Sequence, residues 1–141
     1  MTIHKVKALV PMKAHSERVP NKNLRNLNGK PLFHWIMENL SKSKYIDEII
    51  INTDSDEIAK SAKDNFNVTI LDRPNYLKGD MVGIQPLIEY DLLNTNGEYY
   101  LQTHSTNPLL KTKTIDAAIE SFFSQNEHDA LFSVTETKTR F

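Results

Sequence analysis

The 141-residue sequence contains no cysteine, which excludes disulfide bonds, thiolate metal sites and cysteine nucleophiles. It has only four glycines, and neither of the two common glycine-rich phosphate motifs, G-x-x-x-x-G-K-[ST] and G-x-G-x-x-G, is present. P-loop nucleoside triphosphatases are therefore excluded, and a dinucleotide site built on a glycine-rich turn is not expected. Any phosphate ligand would be held by side chains more than by a glycine cradle.

The sequence also lacks an excess of one charge and any long apolar run. Lysine and arginine together number 17 against 18 acidic residues, and the net charge of −1 argues against nucleic acid as a partner. No apolar run approaches the roughly 20 residues of a membrane span, and the apolar stretch at residues 8–12 is shorter than the roughly 7–15 residues of a signal-peptide core. We therefore expect a cytoplasmic protein that binds neither nucleic acid nor a membrane.

The sequence does contain a regular alternation of strand and helix patterns. A chain of this length forms one domain with a substantial core, and short β-prone runs alternate with segments of helical periodicity. Strands are expected at residues 4–12, 47–53, 68–71, 98–103 and 129–135, and helices at about 31–43, 55–65, 82–94 and from 112 onward. This order predicts an α/β fold with a mostly parallel sheet covered by helices.

Sheets of this kind bind ligands at the carboxyl ends of their strands. Four loops follow predicted strands and should meet at that edge: residues 13–30, 54–56, 72–80 and 103–111. Asp54, at the start of the second loop, suits either a metal ligand or the N-cap of the next helix. The N-cap is the preferred interpretation, because Glu57 stands three residues later and completes a capping box.

The loop after the first strand is strongly basic. It holds one acid, Glu17, against five cations, which are Lys13, Arg18, Lys22, Arg25 and Lys30. Such side chains, combined with backbone N–H groups at a helix N-terminus, are suited to binding polyphosphate. The alternative is a solvated surface loop, and for Arg25 and Lys30 surface charge is the preferred interpretation.

Four sequence blocks carry a resemblance to a known family. The segment ALVPMKAHSERVPNKNLRNLNGKPL resembles the opening of the CMP-sugar synthetases, the acylneuraminate and 3-deoxy-manno-octulosonate cytidylyltransferases. The blocks IINTDSDEIA, LDRPNYLKGD and LQTHSTNPLL follow in the family's order. The resemblance implies a Rossmann-like three-layer αβα sandwich of the nucleotidyltransferase type. Residues 1–141 would form its N-terminal, nucleotide-binding part, truncated before the C-terminal part of the domain.

The resemblance also implies a reaction. CMP would pass from CTP to the anomeric hydroxyl of a keto-sugar acid similar to sialic acid, with release of pyrophosphate and with Mg²⁺ held by ligands beyond this chain. The full-length form would be a homodimer, and the 141-residue chain alone would bind CTP weakly, with little or no turnover. Two alternatives stay open, namely nucleotidyl transfer to another acceptor and a non-catalytic nucleotide-binding module.

The first block supplies the expected catalytic residues. Lys22 and Asn23 match the family's Lys-Asn pair, and Lys22 would stabilise charge on the α-phosphate. Lys13 stands where the family usually has arginine, which keeps the charge but loses the bidentate fork. Ser16 matches the family's serine, and Arg18 is an added cation. The residues expected to bind nucleotide are Lys13, Ser16, Arg18, Lys22, Asn23, Arg73 and Asp80.

Two of these residues come from the block LDRPNYLKGD. Arg73 matches an arginine near the cytosine base, whose O2 and N3 atoms accept hydrogen bonds. The alternative for Arg73 is an ion pair with Asp72 or with a helix carboxylate. Asp80 falls in a block that lines the nucleotide and sugar site, although the residues after it depart from the family's continuation.

The block LQTHSTNPLL is expected to face the acceptor sugar. Gln102 matches the glutamine of the family motif L-Q-P-T-S-P-L, and this block is two residues longer between that glutamine and the proline. The expected sugar-binding residues are Gln102, His104, Ser105 and Asn107. A general-base role for His104 would suit the pKa of a histidine. The family has no histidine there, so a pocket-lining role is the preferred interpretation.

Overall fold

A computed structural model describes residues 2–138. The strands are β1 (Val6–Leu9), β2 (Asn26–Leu27), β3 (Lys30–Pro31), β4 (Ile46–Thr53), β5 (Thr69–Asp72) and β6 (Tyr100–Gln102). The helices are α1 (Leu32–Ser41), α2 (Asp56–Asn65), α3 (Ile84–Leu93) and α4 (Thr112–Ser124). None of these four helices combines the length and the apolar character that a membrane crossing requires.

The main sheet has the strand order β5-β4-β1-β6, and every pair of neighbouring strands in it is parallel. The chain continues along β4 after β1 ends, because the backbone N–H groups of Val10 and Met12 donate to the carbonyls of Ile50 and Asn52, at 2.9 Å each. The predicted parallel α/β fold is therefore confirmed. Its strand order brings the carboxyl ends of β1, β4, β5 and β6 to one edge.

Different helices cover the two faces of this sheet. Successive strand residues point to opposite faces, and Ile49 and Ile51 of β4 share one buried cluster with Phe33 of α1, Ile58 of α2 and Ile115 of α4. Three helices therefore pack on this face.

The opposite face is covered by α3. Ile50 of β4 is fully buried but lies outside the main cluster, and Leu87 of α3 is buried as well. The side chain of Asn52, on the same face as Ile50, donates to Asp91 of α3 at 2.6 Å. Helix, sheet and helix thus form the three layers expected for the fold.

A β-hairpin made of β2 and β3 is present, although the sequence analysis above does not predict it. Asn28 and Gly29 have φ angles of 51° and 98°, as a type I′ turn requires, and Asn-Gly is a preferred sequence for that turn. The hairpin is attached to α1, because the Trp35 indole N–H donates to the Leu27 carbonyl at 2.9 Å. The ammonium of Lys30 also lies 3.8 Å from the Trp35 ring centroid. The second half of the basic loop is therefore an ordered element packed on a helix.

The prediction of a strand at residues 129–135 is wrong. The segment from 125 to 138 has no regular secondary structure, and Phe132 and Val134 are 82% and 81% exposed. A β-prone composition gives a strand only where a neighbour pairs with its backbone groups. Among the described residues, no strand pairs with this segment.

The prediction that Asp54 caps α2 is also wrong by one residue. The Ser55 hydroxyl accepts a hydrogen bond from the Ile58 backbone N–H at 3.2 Å, so Ser55 is the N-cap. Asp54 Oδ1 instead accepts the backbone N–H of Ala14 at 2.7 Å. Asp54 therefore ties the loop after β4 to the loop after β1.

Candidate functional site

A cavity of about 170 Å³ lies at the carboxyl ends of the strands. The loop after β1 and the loop after β6 form its walls. The residues that line it are Pro11, Met12, Lys13, His15, Ser16, Lys22, Asn23, His104, Ser105 and Thr106. Both loops leave the sheet beside each other, because the backbone N–H of Thr103 donates to the Leu9 carbonyl at 3.1 Å.

A left-handed residue turns the basic loop back toward the cavity. Asn21 has a φ angle of 51°, and a short 3₁₀ turn over Lys22–Leu24 follows it. The Asn21 carbonyl accepts the backbone N–H groups of Leu24 and Arg25 at 3.0 and 3.1 Å. This turn brings Lys22 and Asn23 to the same cavity as Lys13, which precedes them by nine and ten residues in the chain.

Asn23 is buried and joins both walls of the cavity. Its Nδ2 donates to the Lys13 carbonyl at 3.3 Å, and its Oδ1 accepts from the Ser105 hydroxyl at 2.7 Å. The two loops are thus linked by side-chain hydrogen bonds between positions far apart in the sequence.

A lysine, a histidine and an aspartate meet at the opening of the cavity in what we call the mouth cluster, made of Lys13, His15 and Asp80. Lys13 Nζ lies 2.7 Å from Asp80 Oδ1, and His15 Nδ1 lies 3.2 Å from Asp80 Oδ2. The hydrogen bond from Lys13 lowers the pKa of the Asp80 carboxyl below its ordinary value. Gly79, with a φ angle of 110°, supplies the turn that brings Asp80 to this position. In this cluster an anionic ligand would compete with Asp80 for Lys13.

Beneath the cavity lies a second polar group, which we call the buried network, made of Arg73, Asn52 and Asp91. Arg73 Nε donates to Asn52 Oδ1 at 2.9 Å, and Asn52 Nδ2 donates to Asp91 Oδ1 at 2.6 Å. Arg73 Nη2 also donates to the backbone carbonyls of Asn52 and Met12, at 3.2 and 3.3 Å. The guanidinium therefore supports the backbone of Met12, which lines the cavity.

Burial controls the charges of this network. It lowers the pKa of Arg73 and raises the pKa of Asp91, whose Oδ2 has no hydrogen-bond partner among the described residues. The helix carboxylate considered as an alternative partner for Arg73 is thus connected to it through the amide of Asn52. Contact between Arg73 and a cytosine base stays a prediction.

The structure brings together most of the residues that the sequence predicts. Six of them line the cavity, namely Lys13, Ser16, Lys22, Asn23, His104 and Ser105. Asp80 lies at its mouth and Arg73 beneath it. Three predicted residues are exposed and lie outside the lining, namely Arg18, Gln102 and Asn107.

Asn52 and Asp91 are not among the residues predicted from the sequence. A signal for each is present, since Asn52 directly follows the apolar run of β4, and Asp91 falls between the apolar residues Leu87 and Leu92 of α3. Polar residues at core positions are usually hydrogen-bonded, which points to a partner. The sequence alone does not say that the partner is Arg73.

The resemblance also implies Mg²⁺. Across residues 2–138, the structure has no group of three or more histidine, cysteine, aspartate or glutamate side chains arranged to hold a metal ion. We assign Mg²⁺ to none of these residues and derive no step of the chemistry through the metal, and its binding beyond them stays a prediction.

Comparisons with known proteins agree on one family. A family model described as cytidylyltransferase matches residues 7–140. The pseudaminic acid cytidylyltransferase of Campylobacter jejuni is 28% identical over 133 residues, which cover 91% of this chain and 57% of that protein. The 3-deoxy-manno-octulosonate cytidylyltransferase of Chlorobium phaeobacteroides is 27% identical over 121 residues, which cover 86% of this chain and 47% of that protein.

Solved structures show the same fold. A CMP:2-keto-3-deoxy-manno-octonic acid synthetase complexed with CTP superposes with a TM-score of 0.73 at 17% identity, covering 87% of this chain and 49% of that one. A nucleotidyl transfer enzyme from Methanothermobacter superposes with a TM-score of 0.68 at 16% identity, covering 82% and 57%. The chain spans about half the length of these relatives. The match over residues 7–140 shows that this chain belongs to the cytidylyltransferase family.

Proposed function

We propose that this chain supplies the nucleotide-binding part of an enzyme that transfers CMP from CTP to the anomeric hydroxyl of a keto-sugar acid. The observation that carries the proposal is the meeting of Lys13, Lys22 and Asn23 around one cavity at the carboxyl ends of parallel strands. Two cations and an amide at such an edge fit a polyphosphate.

The reaction class needs positioning and charge stabilisation more than a nucleophilic side chain. The acceptor oxygen would attack the α-phosphorus of CTP, and the bond from that phosphorus to the bridging oxygen of pyrophosphate would break. We assign stabilisation of the negative charge on the α-phosphate to Lys22, and binding of the other phosphates to Lys13 and Ser16. Arg18 is exposed and lies outside the cavity lining, so we assign it at most a contact at the edge of the bound nucleotide.

Recognition of the base and of the acceptor is assigned to residues around and beneath the cavity. Arg73, the residue predicted to read cytosine, is buried and hydrogen-bonded to the Met12 backbone, so we assign its effect on the base to the position of that backbone. We assign the acceptor first to His104, which lines the cavity. Ser105 also lines it, but its hydroxyl hydrogen goes to Asn23, so it could only accept a hydrogen bond from the sugar. The relatives differ in their named acceptors, so the proposal goes no further than the class of keto-sugar acids.

A non-catalytic nucleotide-binding module is the second candidate. It is favoured by the ion pair between Lys13 and Asp80, because this pair neutralises one of the two lysines that line the cavity. Pyrophosphate release in the presence of CTP, Mg²⁺ and a keto-sugar acid separates the two candidates, and for the 141-residue chain by itself we expect little or none.

Calorimetric titration of the 141-residue chain with CTP, UTP and ATP tests nucleotide binding. We expect weak binding with a preference for CTP. Lys22→Ala should weaken CTP binding about tenfold or more, because hydrogen bonds from a charged donor to phosphate are among the strong ones. Lys113→Ala, at an exposed position of α4, is the matched control and should leave the affinity unchanged. No binding of any triphosphate, or equal affinities for the two variants, would contradict the proposal.

A further inference from the structure

Two polar side chains at the cavity wall are almost completely buried and hydrogen-bonded to each other. Asn23 is 7% exposed and Ser105 is 6% exposed. Their link, 2.7 Å from the Ser105 hydroxyl to Asn23 Oδ1, joins positions that are 82 residues apart. Buried polar atoms at this edge cost free energy unless they are paired, so the link is part of how the two loops fit together.

The direction of every hydrogen bond in this link follows from the chemistry of the groups. The backbone carbonyl of Lys13 can only accept, so the end of the Asn23 amide that faces it, at 3.3 Å, is Nδ2. The other end is then Oδ1, which can only accept, and the Ser105 hydroxyl must give it its single hydrogen. The bonds therefore run from Ser105 to Asn23 and from Asn23 to Lys13.

This direction decides what Asn23 offers to a ligand. An amide nitrogen carries two hydrogens, and the Lys13 carbonyl takes one of them. Asn23 lines the cavity, so the second hydrogen is available there as a donor to an anion. A flipped amide would instead present a carbonyl oxygen toward phosphate, which repels it.

We propose that Ser105 is a positioning residue that holds the Asn23 amide with its N–H group toward the phosphates. This role rests on the proposed nucleotide-binding function and differs from direct contact with the sugar. The 3.3 Å bond to Lys13 is long for an N–H···O hydrogen bond, whereas the 2.7 Å bond from Ser105 has the ordinary length of an O–H···O hydrogen bond. Removal of the hydroxyl therefore takes away the stronger of the two restraints on the amide.

The first measurement needs no ligand. In NMR spectra of the 141-residue chain, we expect the two side-chain amide hydrogens of Asn23 to give one set of signals, with cross-relaxation that places Nδ2 beside Lys13. In Ser105→Ala these signals should shift and lose that single orientation, whereas Ser105→Thr, which keeps the hydroxyl, should restore it. An unchanged Asn23 amide in Ser105→Ala overturns the proposal.

The second measurement follows the affinity for inorganic triphosphate by calorimetry. Ser105→Ala should lower it about fivefold, the effect of losing one neutral hydrogen bond. In an Asn23→Ala background the same change should have no further effect, because Ser105 acts through Asn23. Independent, additive losses from the two changes overturn the proposal, and so does an unaltered affinity in Ser105→Ala.

Ser121→Ala, at an exposed position of α4, should change neither the amide signals nor the affinity. If Ser105→Ala alters the amide signals but the wild-type chain binds no triphosphate, the positioning of Asn23 stands and the proposed nucleotide-binding function fails. Equal loss of triphosphate and of cytidine binding would mean that Ser105 only holds the loops together, which rejects the specific role.

Discussion

The mouth cluster and the buried network use the same kinds of charged groups at the same edge of the sheet, but in opposite environments. In the mouth cluster the Lys13 and Asp80 side chains are 42% and 34% exposed, whereas in the buried network Arg73 is 5% exposed and Asp91 is fully buried. Exposed pairs contribute little and are screened by salt. Buried charged groups are costly to leave without partners.

This difference in burial gives the buried network and the mouth cluster different roles. The buried network cannot exchange partners without a large cost, so it fixes the backbone that forms the floor of the cavity. The mouth cluster can exchange Asp80 for an anionic ligand at little cost, so its lysine is available for binding. Similar residues therefore give a rigid floor in the buried network and an exchangeable ion pair in the mouth cluster, and the difference between them is burial.

The largest expected effect comes from breaking the buried network. Arg73→Met removes the guanidinium but keeps most of the volume. It leaves Asn52 Oδ1 buried without its donor and Asp91 buried without the nearby positive charge. Loss of one member of a buried charged group costs about 3–5 kcal/mol, so the free energy of unfolding, measured by urea denaturation, should fall by about that amount. Arg25→Met, at an exposed position, is the control. Similar free energies of unfolding for Arg73→Met and Arg25→Met would show that the buried network contributes no more to stability than an exposed charge does.

The pH dependence of stability should have opposite signs for the two acids. Burial raises the pKa of Asp91 above its ordinary 3.8, so the folded chain takes up this proton at higher pH than the unfolded chain does. This contribution is fully present below pH 3.8 and is lost as the pH rises through the raised value. Lys13 lowers the pKa of Asp80 below 3.8, so its contribution is present above that pH and is lost as the pH falls through the lowered value.

Two variants measure these contributions in urea denaturation over acidic pH. On acidification the wild type should gain stability relative to Asp91→Asn and lose stability relative to Asp80→Asn. If both stability differences changed with pH in the same direction, the pKa values of Asp91 and Asp80 would not be shifted in opposite directions.

The smallest expected effect comes from the mouth cluster. Asp80→Asn removes the competitor for Lys13, and CTP should then bind about two- to fivefold more tightly, which is the scale of an exposed ion pair. The gain should shrink as salt is added, because screening weakens the same pair. Asp116→Asn, on α4, serves as a charge-matched control. Weaker CTP binding by Asp80→Asn would instead give Asp80 a direct part in the site.

The sequence predicts the sheet and most of the helices because their signals are local. The β-branched run of Ile49–Ile51 and the apolar spacing of Ile58 and Ala62 in α2 belong to elements whose neighbours are also present. The same kind of run at residues 129–135 fails, since no described strand pairs with it. The dipeptide Asn28-Gly29 is a local signal for the hairpin, because both residues readily adopt the positive φ angles of a type I′ turn.

The site is predicted in place but not in detail. The ends of parallel strands meet at one edge, so the meeting of Lys13 and Lys22 follows from the strand order. The burial of Arg73 does not follow, because a sequence pattern does not say whether a side chain after a strand points into the cavity or beneath it. Asp91, which Asn52 connects to Arg73, lies on a helix that reaches β4 only in the folded chain.

The attachment of the hairpin to α1 gives the protein a built-in optical reporter. Trp35 is the single tryptophan of the chain, and its indole is held by a carbonyl of the basic loop and faced by the Lys30 ammonium. Indole fluorescence responds to nearby charge and to hydrogen bonding. A rearrangement of the loop on ligand binding would therefore alter the emission of one known fluorophore, without any added label.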